Sequence, residues 1–209
     1  MNEQQFRKIL MKYFRKMGFL ILNGSFLICV NLVMAMQEPR DLYDFTHQET
    51  SGVWMIVNDG VMGGISESRL SLDQQGFLVF EGRVSLDYGG GFASVRSILN
   101  RLDADLYDGI LIRFKGDGKR YQLRLRQGDR MDGVAYFRHF ETKIGEWEEV
   151  FLPFHSFQAS YRGRRLPDYP KLDTSRISQL GLMISDKQEG NFRLEVQRIA
   201  LYFNEHFQT

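Results

Sequence analysis

An all-β fold, a β-sandwich or jelly roll, is predicted for most of this chain on three observations. From about residue 41, short runs of alternating apolar and polar residues follow one another, divided by Gly, Asp and Asn; strands buried on one face have this pattern. No run of ten or more residues after Ala35 keeps a 3.6-residue period, so nothing there is patterned as an amphipathic helix. Seventeen Phe, 9 Tyr and 20 Gly against 4 Pro suit pleated, aromatic-packed sheets joined by tight turns. About eight to ten strands at this spacing make a two-sheet sandwich. One domain is expected, over residues 41–203, behind an N-terminal hydrophobic leader.

The leader, residues 1–35, carries Arg7, Lys8, Lys12, Arg15 and Lys16 against Glu3 alone, then an uncharged stretch from Gly18 to Ala35. Val33 and Ala35 suit the −3 and −1 positions of a signal-peptide cleavage site, and Met11 or Met17 as the start would shorten the basic region to a usual length. An uncleaved N-terminal anchor is the alternative. At ~1.5 Å per residue the stretch nearly crosses a ~30 Å hydrocarbon layer, although Asn23, Gly24, Ser25 and Asn31 weaken it. The expectation is an exported protein, periplasmic or in the cell envelope if bacterial, or one anchored to a membrane by its N-terminus. Cys29 is the only cysteine, which excludes disulfides, thiolate metal sites and a cysteine nucleophile from the domain that follows.

After the leader, 22 basic residues face 25 acidic ones. A nucleic-acid-binding domain needs a clustered basic excess, so no nucleic acid is expected as partner. Along the domain, Ile110–Lys115 and Arg120–Arg126 flank Gly116-Asp117-Gly118, which reads as a hairpin. In the second run Tyr121, Leu123 and Leu125 share one face, and Gln122, Arg124 and Arg126 the other. Val134–Phe140 and Trp147–Leu152 continue the series. Phe192–Val196 alternates, then the phase slips at Gln197-Arg198 before Ile199–Phe203, which calls for a bulge or a change of sheet.

The search for catalytic chemistry returns little. The glycine-rich stretches 58–66 and 87–94 lack the Lys-Ser/Thr of a phosphate loop and the dinucleotide fingerprint; their glycines suit tight turns or close backbone approach. His47, His139, His155 and His206 show no zinc-ligand spacing, and His139 reads as a surface or satisfied residue within a strand. A triad of Ser94, His155 and Asp186 can be written but has no nucleophile elbow. Asp103, Asp105 and Asp108 lack the ligand order of a calcium loop and read as solvated carboxylates. No catalytic residue, metal or cofactor is expected.

More specific are several ordered motifs. Trp54-x-x-Val57-Asn58-Asp59-Gly60-Val61-Met62-Gly63-Gly64-x-Ser66 is followed by Phe80-x-Gly82-x-Val84-Ser85-Leu86 and by Gly90-Gly91-Phe92-Ala93-Ser94-x-Arg96. Trp147-x-x-Val150-x-Leu152-Pro153-Phe154-x-x-Phe157, Arg162-Gly163-Arg164 and the run from Ile177 to Ile199 complete the series. Together they resemble the complex I intermediate-associated protein 30 family over roughly residues 41–203. Tyr88-Gly89 departs from the family pattern, which is often Asn-rich there. The resemblance implies a galactose-binding-like jelly roll, similar to some carbohydrate-binding modules. It also implies a non-catalytic, chaperone-like role in respiratory complex I assembly.

Trp54, Phe80, Phe92, Trp147, Phe154 and Phe192 are expected in the core. Asn58, Asp59, Ser66 and Arg96 are the polar exceptions. Asp59 and Arg96 are expected to approach within hydrogen-bonding reach and tie the two glycine-rich loops together; the alternative is that they line a concave binding surface. Tyr161, Arg162 and Arg164 are further ligand- or partner-binding candidates. Tyr107, Tyr136, Tyr161 and Tyr169 are the aromatic platforms that a second reading, a carbohydrate-binding module of the cell envelope, would use. The partner expected first is a protein; a glycan is the other class.

Overall fold

The computed structural model describes residues 39–47, 53–128, 130 and 132–203; the leader, with both readings of it, lies outside them. Thirteen strands are present among the described residues, with short 3-10 turns as the only helical elements. In chain order they are β1 (Arg40–Asp44), β2 (Trp54–Ile56), β3 (Glu67–Leu72), β4 (Leu78–Val84), β5 (Ala93–Leu102), β6 (Gly109–Lys115) and β7 (Arg120–Gln127). Then follow β8 (Ala135–Glu141), β9 (Trp147–Pro153), β10 (Gln158–Tyr161), β11 (Arg164–Arg165), β12 (Ile177–Ile184) and β13 (Gly190–Tyr202). A six-stranded sheet runs β3-β4-β13-β6-β9 with β1 also on β13, and a seven-stranded sheet runs β11-β10-β8-β7-β12-β5-β2. All the strand pairings are antiparallel.

The inner faces meet in one core, as period-2 alternation requires. Ile110, Ile112, Leu194 and Ile199 from one sheet and Tyr121, Leu123, Leu125, Leu180 and Leu182 from the other are fully buried. Rings interlock across the gap, with Phe114 of β6 4.8 Å from Phe140 of β8. The Tyr43 hydroxyl of β1 shares a 2.5 Å hydrogen bond with Ser97 Oγ of β5, joining the sheets through a polar contact. Of the six aromatics expected in the core, Phe80, Phe154 and Phe192 are buried and Trp54 packs against it half-buried. Trp147 instead lies outside the core under Arg113 and Lys115, and Phe92 is half-buried in a loop.

The expected hairpin at Gly116-Asp117-Gly118 does not form. β6 and β7 belong to different sheets, β6 pairing with β13 and β9 and β7 with β12 and β8. The side chain of Thr142 packs where a Cβ on Gly116 would project. Its Oγ1 accepts from Gly118 N (3.0 Å) and donates to Lys119 O (2.8 Å), bracing a link that crosses the sandwich edge. The phase slip at Gln197-Arg198 is a β-bulge, where the register of β13 against β6 shifts between Val196 and Arg198.

Candidate functional site

Asp59 opens a 3-10 turn, Asp59–Met62, closed by Gly63 at φ 93°. Its side chain is completely buried and every contact is a donor. Oδ1 accepts from Ser66 N (2.9 Å), and Oδ2 accepts from Ser66 Oγ (2.5 Å), Gly91 N (2.7 Å) and Phe92 N (3.2 Å). Burial pushes the carboxyl pKa up, but the Ser66 hydroxyl and the three amides outweigh it and hold the group below its ordinary value. Gly64 and Gly90 leave the room, since a Cβ on either would sit 2.5–2.7 Å from the carboxylate. Asn58 adds a second tie, its Oδ1 accepting from Ser68 Oγ (2.8 Å) and Ser94 N (3.3 Å).

The two glycine-rich loops are therefore tied together, but not through Arg96. The expected Asp59–Arg96 pair is replaced by backbone amides of the second loop, which reach the carboxylate because glycines let the main chain approach it. Arg96 lies on the outer face of the seven-stranded sheet, where burial and the opposing pull of Asp132 set its pKa, lowered on balance. Tyr88, in the second loop, takes a left-handed φ of 54° and is 78% exposed. Asn tolerates that conformation better than Tyr. Tyr88→Asn should raise stability by roughly 1 kcal/mol in urea titration, from relief of αL strain.

The loops Asp59 holds expose apolar side chains. Val61 is 73% and Met62 58% exposed, Ile65 is exposed in the same loop, and Leu86 and Tyr88 are exposed in the second loop.

Beyond these loops, register arranges the outer face of the seven-stranded sheet in rows. One row is Ser94, Met183, Gln122, His139; the next is Met55, Arg96, Gly181, Arg124, Phe137, Gln158; the third is Ile98, Gln179, Arg126, Ala135, Ser160. A hollow of about 270 Å³ opens over the first two, walled by Gly91, Phe92, Arg124, His139, Arg165 and Asp186. Arg124 donates to Gln122 Oε1 (2.7 Å) and Ser160 Oγ (3.2 Å) and lies over the Phe137 ring, as does Arg165. Burial, then neighbouring Arg96, lowers its pKa to about 10 against the pull of Asp186. Arg126 falls to about 9 through burial, Arg96 and Arg124, opposed by Asp132. Asp186 pairs with His139 (2.9 Å) and Arg120 (3.1 Å), so the triad with His155 is not its arrangement.

Among the remaining candidates, Tyr161, Arg162 and Arg164 sit in the β10–β11 turn beside Gly163, which also lines the hollow. Arg162 has φ 46° and lies over the Tyr161 ring. Tyr136 is buried and Tyr107 packs on the core, which removes both as platforms; Tyr161 and Tyr169 are exposed. Alternation places Gln122, Arg124 and Arg126 on one face and does not say whether that face is open. It is largely covered, with Gln122 and Arg126 buried. A larger depression of about 610 Å³ lies on the opposite sheet. In it Glu81 holds both Arg69 and Arg193. No group of three or more metal-ligating side chains occurs among the described residues, and no described helix is long and apolar enough to cross a membrane.

The fold is that of a galactose-binding-like jelly roll. Its solved likenesses include the family 11 carbohydrate-binding module of a Clostridium thermocellum cellulosomal cellulase, at TM-score 0.62 and 16% identity over 82% of this chain and 98% of that one. The family 30 module of another C. thermocellum cellulosomal cellulase aligns at TM-score 0.53 and 14% identity, over 81% of this chain and 99% of that one. Within that class, the chain belongs to the complex I intermediate-associated protein 30 family, whose sequence model matches residues 43–196. The mitochondrial protein of that name from Mus musculus is 25% identical over 80% of this chain and 57% of its own length. The one from Drosophila melanogaster is 25% identical over 83% and 66%. The chain thus spans between about half and two thirds of the length of these relatives.

The relatives overturn the expectation of an exported, periplasmic or cell-envelope protein, because they are named as mitochondrial.

Proposed function

We propose that this chain is a non-catalytic binding and assembly domain, chaperone-like in mode, that recognises a protein partner through the loops clasped by Asp59. The observation that carries the reading is the contrast within those loops. Their one buried carboxylate is consumed in holding backbone, while Val61, Met62 and Tyr88 face solvent. Rigid loops presenting exposed apolar groups suit protein recognition, because little ordering entropy remains to be lost on docking. Membership of a family named for complex I intermediates supports a respiratory-complex partner.

The sandwich likeness and the exposed Tyr161 and Tyr169 support the alternative, a carbohydrate-binding module. Sugar rings stack on open aromatic faces, yet Phe137, which lines the hollow together with the half-buried Phe92, is covered by Arg124 and Arg165. The test is a photo-crosslinking residue at Met62, with one at Arg69 on the far sheet as control, in solubilised mitochondrial membranes. Capture of respiratory-complex subunits at Met62 and not at Arg69 is expected; equal capture at both positions would overturn the reading.

A further inference from the structure

The β10–β11 hairpin gathers three exposed arginines, Arg162, Arg164 and Arg165, at its tip. Tyr161 pairs with Arg164 and Ser160 with Arg165, so Arg162 and Gly163 alone make the turn. Both have positive φ, 46° and 77°, as the tight two-residue turn requires, and Asn or Gly is favoured at its first position. An arginine there is strained, and strain kept at an exposed tip points to a use for the side chain. Among the described residues no carboxylate forms an ion pair with any of the three. Their contacts are with rings, Arg162 lying 5.3 Å from the centroid of Tyr161 and Arg165 5.6 Å from that of Phe137. Asp168 is the one carboxylate between residues 159 and 171, and Lys171 offsets it.

We infer that this tip docks on an anionic phospholipid surface, its arginines taking the headgroup phosphates. The inference goes beyond the protein-partner reading and does not depend on it. Cross-strand partners share a face of a hairpin. Arg165 therefore lies with Ser160 on the side of the hollow, Arg164 with Tyr161 on the other side, and Arg162 at the turn between them. A groove would meet one of these faces, whereas a plane of phosphates met end-on reaches all three guanidiniums. The tip has the clearance for that approach, since a Cβ on Gly163 would meet nothing within 4 Å. Guanidinium suits phosphate through paired N–H bonds. Tyr161, 38% exposed beside Arg162, has the apolar body and polar end of residues enriched at the membrane–water boundary.

The test is flotation of the full chain with phosphatidylcholine vesicles that carry phosphatidylglycerol, against vesicles of phosphatidylcholine alone. Stronger binding to the anionic vesicles is expected, weakening as salt is raised. Arg162→Asn should bind them about fivefold more weakly, and the triple variant Arg162→Gln, Arg164→Gln, Arg165→Gln roughly a hundredfold more weakly. Asn relaxes the left-handed turn, so Arg162→Asn should melt no lower than the native chain, which separates a lost contact from lost folding. Arg83→Asn, the same change of charge in the depression of the opposite sheet, should bind as the native chain does. The leader is common to every variant, so differences between them belong to the hairpin. Native-level binding by the triple variant overturns the inference. An equal loss at Arg83→Asn also overturns it, because net charge alone would then be acting. If soluble polyglutamate binds the native chain and the anionic vesicles do not, the tip is an acidic-protein contact and the lipid inference falls. Capture at Met62 without the vesicle effect removes the lipid contact and leaves the partner reading standing; the vesicle effect without capture does the reverse.

Discussion

Asp59→Ala is expected to lower the free energy of unfolding by about 4 kcal/mol, measured by urea denaturation of the full chain. Charge-assisted bonds contribute about 1.5–3 kcal/mol each, but they are not additive, and a buried donor left without an acceptor costs about 1–3 kcal/mol. Here the amides of Ser66, Gly91 and Phe92 and the Ser66 hydroxyl lose their acceptor together. The same group gives stability a pH dependence. Its folded pKa lies below its unfolded value of about 3.9, so its contribution is present above pH ~4 and is lost as the pH falls through the folded pKa. Asp59→Asn should therefore flatten the acid limb of the stability profile. An unchanged limb would show that the carboxylate does not hold the loops.

Gly64→Ala is expected to cost about 3 kcal/mol, the upper end of ordinary overpacking, although it removes no bond. The new methyl would stand 2.5 Å from Asp59 Cγ, 2.6 Å from its Oδ1 and 2.8 Å from Gly90 Cα. Relief requires the two loops to separate, which lengthens the Gly91 and Phe92 bonds. Because both substitutions break one arrangement, the double variant Asp59→Ala, Gly64→Ala should cost clearly less than the sum of the single changes. An additive result in the double-mutant cycle would mean that Gly64 acts elsewhere.

Much of this fold is written in local pattern. The alternation of Tyr121, Leu123 and Leu125 requires a strand with one buried face, and the slip at Gln197-Arg198 requires an irregularity; the structure has both. Alternation names faces, however, and not sheets, so Gly116-Asp117-Gly118 read as a hairpin when Thr142, 26 residues beyond Gly116, decides the crossing. The site divides in the same way. That Asp59 ties the two glycine-rich loops together was legible, but its partner was not. Choosing between Arg96 and the amides of Gly91 and Phe92 needs the distance between strands, which no spacing encodes. Arg124 and Arg126 stood in plain view on the polar face of β7. What hid them was the burial of that face, contributed by neighbouring strands and by the loops around the hollow.

β13 also constrains how the chain is made. It is the last of the described strands to be synthesised, yet β4, β6 and β1 all pair with it, and Arg198 of β13 bonds Asp41 of β1, 157 residues earlier. During translation the other strands of the six-stranded sheet must wait with their inner faces uncovered, because such distant contacts are closed late and slowly. A ribosome stalled before Gly190 should therefore carry a nascent chain that remains open to protease, whereas one stalled well beyond Tyr202 should carry a resistant domain.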